Sequence, residues 1–342
     1  GKTFSGKVTV KLIAEKAPTI EDQIISQLDT TGKCPEVNKD GTVNVTDMED
    51  TESLVCSAPD DYGTSYYFRG NVENNWVKFA GYYWRILRIN GDGSIRMIYA
   101  GDASVIDALD NKEEVLKNGY DDGSTDYTQI GVSTFNSSRN DNAYVGYMYG
   151  TASSSTYNET HANMNNSKIK TTVDEWYESH IKDTDYEGYI SDTLFCNDRS
   201  FASDNTGTGV GTSTTYYRTY DTDNHTLYCK NQNDRFTAND ESIGNGDLTY
   251  PIGLLTTDEA FLAGGYDSSN ATYYLYTGNY YWTMSPFYFN SSESAARVWR
   301  VYSAGDLSSN FVTVSIGVRP VINLKSGSLS KGSGTADDPY MI

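Results

Sequence analysis

The sequence predicts an α+β fold with antiparallel sheets, few helices and long ordered loops, preceded by a short stem. Aromatic and β-branched runs, separated by Asn- and Gly-containing turns, fill residues 66–100 and recur in the last third of the chain. Helical spacing of apolar residues occurs in only three segments. Stretches rich in Asn, Ser, Thr, Gly and Asp connect these elements, which predicts loops that are ordered by packing.

Residues 1–57 are predicted to form the stem. Lys7 to Leu12 alternates as a strand does, and apolar residues then recur at helical spacing over residues 20–28. The polar segment between Cys34 and Cys56 has little to bury, so a disulfide would stabilise it where a core cannot. We place the boundary with a ligand-binding domain, residues 58–342, near residue 57.

The four cysteines fall as two sequence-local pairs, Cys34 with Cys56 and Cys196 with Cys229. No C-x-x-C motif suggests zinc binding or redox exchange. Two structural disulfides are predicted, each stabilising by about 3 kcal/mol in the chain-entropy model. Because disulfides persist in oxidising compartments, we expect a secreted or cell-surface protein; four reduced thiols in a cytosolic protein are the alternative.

Two regions beyond the stem are predicted to form strands. Residues 66–100 predict an antiparallel meander, because apolar runs alternate with turn signals. Residues 311–322 predict a further strand with one core face and one available face. The core face would hold Val312, Val314, Ile316 and Val318, and the other Phe311, Thr313 and Ser315.

Two helices are also predicted beyond the stem. Apolar side chains over residues 173–181 share one helical face inside the loop-rich stretch 101–249. Thr256 and Glu259 have the spacing of a capping box, and Gly264-Gly265 ends the helix that follows.

The charge balance excludes several classes of partner. With 46 acidic and 26 basic residues the net charge is −20, which repels nucleic acid and anionic membranes. No apolar run approaches the roughly 18 residues of a membrane span, so no direct membrane insertion of this stretch is expected. Since the sequence begins at Gly1 without a leader, we expect any targeting signal, cell-surface anchor or fibre anchor to lie outside it or to have been removed.

Motifs for catalysis or metal binding are missing from the sequence. His161, His180 and His225 are isolated, and neither H-E-x-x-H nor G-x-S-x-G occurs. Gly207 to Gly211 has the letters of a dinucleotide-binding turn but no following helix, so it is predicted to be a loop. No catalytic residue is assigned and no cofactor is predicted, with structural calcium left open and its ligands unknown.

Three C-terminal segments resemble a known fold. They are Tyr281 to Pro286 (YWTMSP), Ala296 to Val301 (ARVWRV) and Gly317 to Ile322 (GVRPVI). Together they are similar to the C-terminal half of a C-type-lectin-like domain, in the branch shared by the formylglycine-generating enzyme and the variable proteins of diversity-generating retroelements. The chain also resembles surface proteins of gut Firmicutes that end in GVRPVINL. The resemblance implies a C-type-lectin-like fold from Tyr66 onward.

The resemblance implies binding rather than catalysis. Enzymes of this branch use a C-terminal pair of cysteines or a cluster of histidines, and here no cysteine follows Cys229. The variable proteins instead display diversified side chains on a rigid frame. The corresponding segment here is rich in Tyr, Ser and Asn, as paratopes are. The predicted ligand-binding residues are Tyr288, Asn290, Ser292, Glu293, Arg297, Trp299, Tyr302, Asp306, Ser309, Asn310, Phe311 and Thr313.

Strand alternation predicts that Ala296 and Val298 face the core and that Arg297 and Trp299 face outward. We therefore expect an extracellular adhesin or receptor-like protein with an unknown protein or glycan ligand and a C-terminal face open to retroelement diversification. A structural fibre or pilus subunit is one alternative. A glycan-active or modifying enzyme, with paired carboxylates in a cleft, is the other.

Overall fold

A computed structural model describes residues 1–3, 5–6, 17–46, 52–119, 126–202, 211–290 and 292–342. The predicted strand over residues 7–12 and nearly all of the predicted loop over residues 207–211 lie outside these ranges. Both therefore stay predictions.

The strands are mostly short outside two sheets. They are β1 Glu36–Val37, β2 Val43–Asn44, β3 Leu54–Asp60, β4 Gly63–Arg69, β5 Trp76–Phe79, β6 Tyr82–Ile89, β7 Ile95–Asp102, β8 Val132–Thr134, β9 Met148–Tyr149, β10 Asn165–Asn166, β11 Phe195–Cys196, β12 Gly211–Thr212, β13 Asn224–His225, β14 Arg235–Phe236, β15 Ile252–Gly253, β16 Tyr281–Asn290, β17 Ala295–Val301, β18 Leu307–Phe311, β19 Ser315–Gly317 and β20 Val321–Leu324.

The helices are short apart from one. They are α1 Ile20–Ile25, α2 Ala103–Ile106, α3 Lys112–Asn118, α4 Tyr157–Thr160, α5 Lys168–His180, α6 Thr214–Tyr217 and α7 Thr257–Leu262, with a π-helical turn over Arg218–Thr222 and 3₁₀ turns over Asn142–Val145, Glu187–Tyr189 and Gln232–Asp234. The helices predicted over residues 20–28, 173–181 and after Thr256 are confirmed as α1, α5 and α7. Both Thr19 and Thr256 form capping boxes.

The larger sheet has the strand order β15-β20-β7-β6-β4-β3, with β5 paired to β6. Its named pairs are all antiparallel, and residues 66–100 supply β4 to β7, so the predicted meander is confirmed. Trp84 and Ile86 of β6 are fully buried. The ring of Trp176 on α5 packs 6.0 Å from that of Trp84, so the helix covers this sheet.

The smaller sheet has the order β18-β17-β16-β19-β8, with β12 paired to β16. Strands β16, β17 and β18 are antiparallel and are called the ribbon below. The prediction of one strand over residues 311–322 is wrong, because a turn separates β18 from β19, and β20 belongs to the larger sheet. Pro320 has no N–H for a ladder, and buried Arg319 before it donates to the carbonyl oxygens of Tyr99 and Leu275. These two hydrogen bonds anchor the segment that passes from β19 in the smaller sheet to β20 in the larger sheet.

The N-terminal segment packs on the rest of the chain. Ile20 and Ile24 of α1 are buried in the main core, and β1 and β2 form a three-stranded sheet with β13. Ser57 lies inside β3 of the larger sheet. The predicted boundary near residue 57 therefore falls within a strand that both segments share.

Both predicted disulfides form. Cys34 pairs with Cys56 and Cys196 with Cys229, each with a Cα–Cα distance of 5.6 Å. The first ties α1 and its following turn to β3, and the second ties β11 to the segment before β14.

Replacing Cys34 and Cys56 by serine is expected to lower the free energy of unfolding by about 3 kcal/mol, since the denatured chain gains the entropy of an open loop. Urea denaturation of oxidised protein measures the difference. After full reduction, wild type and variant should unfold at nearly the same urea concentration. Equal stability of the two oxidised proteins would contradict the expectation.

Candidate functional site

The ribbon holds most of the predicted binding residues, and its geometry depends on a bulge in β16. The register against β17 shifts between Pro286 and Tyr288, so one extra residue, Phe287, is accommodated there. The rings of Phe287 and Tyr288 lie 5.0 Å apart. Except for Trp299, every predicted binding residue is at least partly exposed.

Three predicted residues form a row across the ribbon. Tyr288 pairs with Arg297, and Arg297 pairs with Phe311 on the next strand. The Arg297 guanidinium lies 4.1 Å from the centroid of the Phe311 ring and 5.8 Å from that of Tyr288. Arg139, from the loop before the first 3₁₀ turn, places a second guanidinium 4.2 Å from the Phe311 ring. Tyr288, Arg297, Phe311 and Arg139 are called the Arg297 row.

The cations of the Arg297 row have unused hydrogen-bonding capacity. Neither Arg139 nor Arg297 forms an ion pair with any carboxylate in the part of the chain that the structure describes. Arg297 Nη1 donates to Ser309 Oγ at 3.4 Å, a long contact, and its buried Nε has no acceptor. Buried donors are normally paired. Arg139 and Arg297 are both partly exposed, so their exposed guanidinium N–H groups are open to a ligand with acceptor oxygens.

The expectation that Trp299 faces outward is wrong. Its side chain is 0 % exposed, and its ring lies 4.8 Å from that of Phe287 and stacks 5.8 Å from that of Tyr220. Alternation separates a core face from a solvent face only where one side of the strand is uncovered. The π-helical turn after α6 covers this side of β17, which the sequence did not reveal. Ala296 and Val298 are buried as predicted.

Arg300 centres a second aromatic cluster on the other face of the ribbon. Its guanidinium lies 4.9 Å from the Tyr280 ring and 4.8 Å from the Tyr302 ring, and its Nε donates to Ser308 Oγ at 3.3 Å. Burial lowers the pKa of Arg300, although Tyr280, Tyr302 and Asp306 oppose this effect. Tyr302 and Asp306 were predicted. Arg300 was not predicted, because alternation along ARVWRV places it on the same face as Ala296 and Val298, which was assigned to the core.

The remaining predicted residues do not join the Arg297 row. Asn290 turns the β16–β17 hairpin by accepting from the backbone N–H and the hydroxyl of Ser292, and Glu293 is exposed at the same tip. Asn310 pairs with Val298, which places it on the opposite face from Phe311, and Thr313 lies in the turn after β18. The predicted set therefore divides into the row, the hairpin tip and the Arg300 cluster, with Asn310 and Thr313 outside all three and Trp299 in the core.

A buried ion-pair network supports the frame beneath the ribbon. Glu259 of α7 lies 2.5 Å from Arg96 Nε and 3.1 Å from Arg88 Nε, and Arg88 Nη1 lies 2.7 Å from Asp60. The network borders a small cavity of about 30 Å³, which is the space of one or two water molecules.

The neighbouring Asp258 extends the network. It accepts from Arg218 at 2.7 Å and lies 3.1 Å from His225 Nδ1. Burial alone would raise the pKa of Asp258, but Arg218 and His225 outweigh it and hold that pKa well below the ordinary value. Arg218 also pairs with Asp198 at 3.0 Å. Because each of these carboxylates is held by an arginine, the arrangement has a structural role.

Helix α7 connects this network to the ribbon. The Thr257 N–H donates to Ser285 Oγ at 3.0 Å, and the Met284 N–H donates to the Leu255 carbonyl oxygen at 2.7 Å. Thr283 Oγ1 donates to the carbonyl oxygen of Trp299 at 2.9 Å. The position of β16 and β17 therefore depends on a helix whose N-terminus is held by buried charges.

The model of a family described as a domain of unknown function, DUF6273, matches residues 147–326, more than half of the chain. The chain belongs to the DUF6273 family. In this DUF6273 protein the matched span contains α5, α7 and the whole ribbon, whereas β4 to β7 and Arg139 precede it. No curated protein matches the chain, and no solved structure matches it.

The described part of this DUF6273 protein does not bring together a set of side chains that could bind a metal ion. Within the described ranges, no group of three or more His, Cys, Asp or Glu side chains is arranged to hold a metal ion. Structural calcium therefore stays open, as it was from the sequence, with no ligands to name. No helix in these ranges has the length and apolar character needed to cross a bilayer.

Arg139 and Tyr220 were also missed, for different reasons. Arg139 lies in a polar loop far from the ribbon in sequence. The Ala296 N–H donates to the Arg139 carbonyl oxygen at 2.8 Å, and the Asn136 N–H of the same loop donates to the Val312 carbonyl oxygen at 2.9 Å, so tertiary contacts bring it there. Tyr220 lies in a segment predicted to be loop, so its stacking on Trp299 had no local signal.

Proposed function

We propose that this DUF6273 protein is an extracellular ligand-binding protein of adhesin or receptor type, and that its ligand contacts the Arg297 row. The observation that carries the proposal is the partly exposed Arg297 side chain, whose guanidinium lies between two aromatic rings and has no ion pair in the described chain. Arg and aromatic side chains contribute most of the binding energy at recognition surfaces. Two disulfides fit an oxidising, extracellular compartment.

We also propose that the fold is C-type-lectin-like and that the ribbon is the segment open to retroelement diversification. Antiparallel sheets with few helices support this fold. The three resembling motifs fall on β16, on β17 and on the segment from β19 to β20. Coding sequences of residues 281–317 from sibling isolates test diversification. Substitutions concentrated there support it, and a uniform spread of substitutions along the chain contradicts it.

Arg297→Ala is expected to weaken ligand binding about 30-fold, because a centrally placed guanidinium contributes about 2 kcal/mol. The ligand would first be found by screening the wild-type protein on arrays of glycans and extracellular proteins. Titration of that ligand by calorimetry gives the affinity. The melting temperature should change little, since among the described residues this partly exposed side chain makes one long hydrogen bond and cation–π contacts that contribute about 0.5 to 1 kcal/mol.

Lys168→Ala, which removes one exposed cation from α5, serves as the control for net charge. It should bind as the wild type does. Arg300→Ala tests the opposite face of the ribbon. If Arg300→Ala weakens binding more than Arg297→Ala, the Arg297 row is not the centre of the site.

A further inference from the structure

A second cavity shares no residue with the Arg297 row. It has a volume of about 310 Å³, within the range of small-molecule sites. Six parts of the chain line it: the loop between β4 and β5, strands β5 and β6, helix α3, the loop before β16, and the C-terminal segment around Ala336.

Aromatic side chains form the floor of this cavity. Trp76, Tyr273 and Tyr274 are buried there, and the Arg85 guanidinium lies 4.0 Å from the Trp76 ring and 5.1 Å from the Tyr274 ring. The Trp76 N–H donates to the Gly334 carbonyl oxygen at 2.8 Å, and the Tyr274 N–H donates to that of Gly70 at 3.0 Å. These bonds fix the floor before any ligand arrives.

Polar side chains surround the opening, and none of them hydrogen-bonds or ion-pairs with a residue of the described ranges. Such groups are free to bind a ligand that both donates and accepts hydrogen bonds. They are Asn71, Glu73, Glu113, Lys117, Asn118 and Asp337.

The charges that line the cavity nearly cancel. Three carboxylates, of Glu73, Glu113 and Asp337, oppose the two cations of Arg85 and Lys117. A strongly anionic or cationic ligand would meet groups of its own sign on one side. A neutral ligand with many hydroxyl groups and one apolar face would match both the mixed rim and the aromatic floor.

We propose that this cavity binds a neutral sugar residue. The sugar hydroxyls would bond to the rim carboxylates, amides and Lys117, and the apolar face of the ring would pack on the aromatic floor. This site is separate from the Arg297 row, so the proposal stands whether or not the row binds a ligand.

Saturation-transfer NMR of the full chain with glucose, galactose, mannose, fucose, xylose, N-acetylglucosamine and N-acetylgalactosamine tests the proposal. At least one of these sugars is expected to bind to the wild type. Glu113→Ala and Lys117→Ala should each weaken that binding about tenfold, because each removes a charged hydrogen-bonding partner. The melting temperature should not change, since these side chains make no hydrogen bond within the described protein.

Glu114→Ala is the matched control, because Glu114 is the exposed neighbour on α3 and does not line the cavity. It should bind the sugar as the wild type does. The proposal is overturned if no sugar of the panel binds, or if both rim variants bind as tightly as Glu114→Ala. It is also overturned if Arg297→Ala abolishes sugar binding while the rim variants do not, because the sugar would then occupy the Arg297 row.

Discussion

Glu259→Gln is expected to lower the free energy of unfolding by about 3 to 5 kcal/mol, because it leaves two buried arginines without their shared carboxylate. Arg96 is 1 % exposed and Arg88 7 % exposed, so only the one or two water molecules that the adjacent cavity can hold could approach them, and these carry no charge. The glutamine can still accept from the Thr256 N–H, which Glu259 caps at 2.9 Å. The decrease in unfolding free energy therefore reports the lost charge pairing and not a lost helix cap. Urea denaturation measures this decrease.

The pH dependence of this difference gives a second readout. Burial alone would raise the pKa of Glu259, but Arg96 and Arg88 outweigh burial and lower that pKa below its ordinary value of 4.5. A carboxyl with a depressed pKa in the folded state contributes its full stability above the unfolded value and loses it as the pH falls through the folded value. The stability gap between wild type and Glu259→Gln should thus be constant above about pH 5 and narrow below about pH 4.

Glu114→Gln, on an exposed turn of α3, is the control for the change of charge and should shift stability by less than about 0.5 kcal/mol. A Glu259→Gln protein as stable as this control would mean that the network does not hold the frame. If the difference in stability between wild type and Glu259→Gln stays constant down to pH 3, the ionised carboxylate of Glu259 is not the cause of that difference.

Trp299→Ala is expected to destabilise the protein by about 3 to 5 kcal/mol, since it removes a fully buried indole and leaves a cavity. The cavity would open between Phe287, Tyr220 and the Phe261 ring of α7, which lies 6.5 Å from the indole. Thermal and urea unfolding both report the change. Because the indole is fully buried and cannot contact a ligand, the affinity of the protein that remains folded should not change.

Tyr217→Ala is the matched control, because Tyr217 is 46 % exposed on the neighbouring α6. Its effect should stay within about 0.5 kcal/mol. If Trp299→Ala instead keeps the wild-type stability and abolishes ligand binding, Trp299 belongs to the binding face, as the alternation along β17 suggested.

The elements that local chemistry specifies were predictable. The capping boxes at Thr19 and Thr256 satisfy N–H groups within one turn, so the helix starts could be located from neighbouring residues. The meander over residues 66–100 follows from alternating apolar runs and turns. The strand prediction over residues 311–322 failed because Arg319 and Pro320 carry the chain between two sheets, and alternation alone does not show that crossing.

The sequence by itself determined the disulfide pairs, the helix caps, the meander and the identity of the residues that line the ribbon, because each depends on neighbours in the chain. Only the tertiary structure decided which of those residues share a face. Arg139 reaches Phe311 from a distant loop, and the turn that carries Tyr220 buries Trp299. The cavity floor likewise joins Trp76 to Tyr274, which lie far apart in sequence. Burial and charge pairing depend on contacts between distant segments, and the packing of the whole chain sets those contacts.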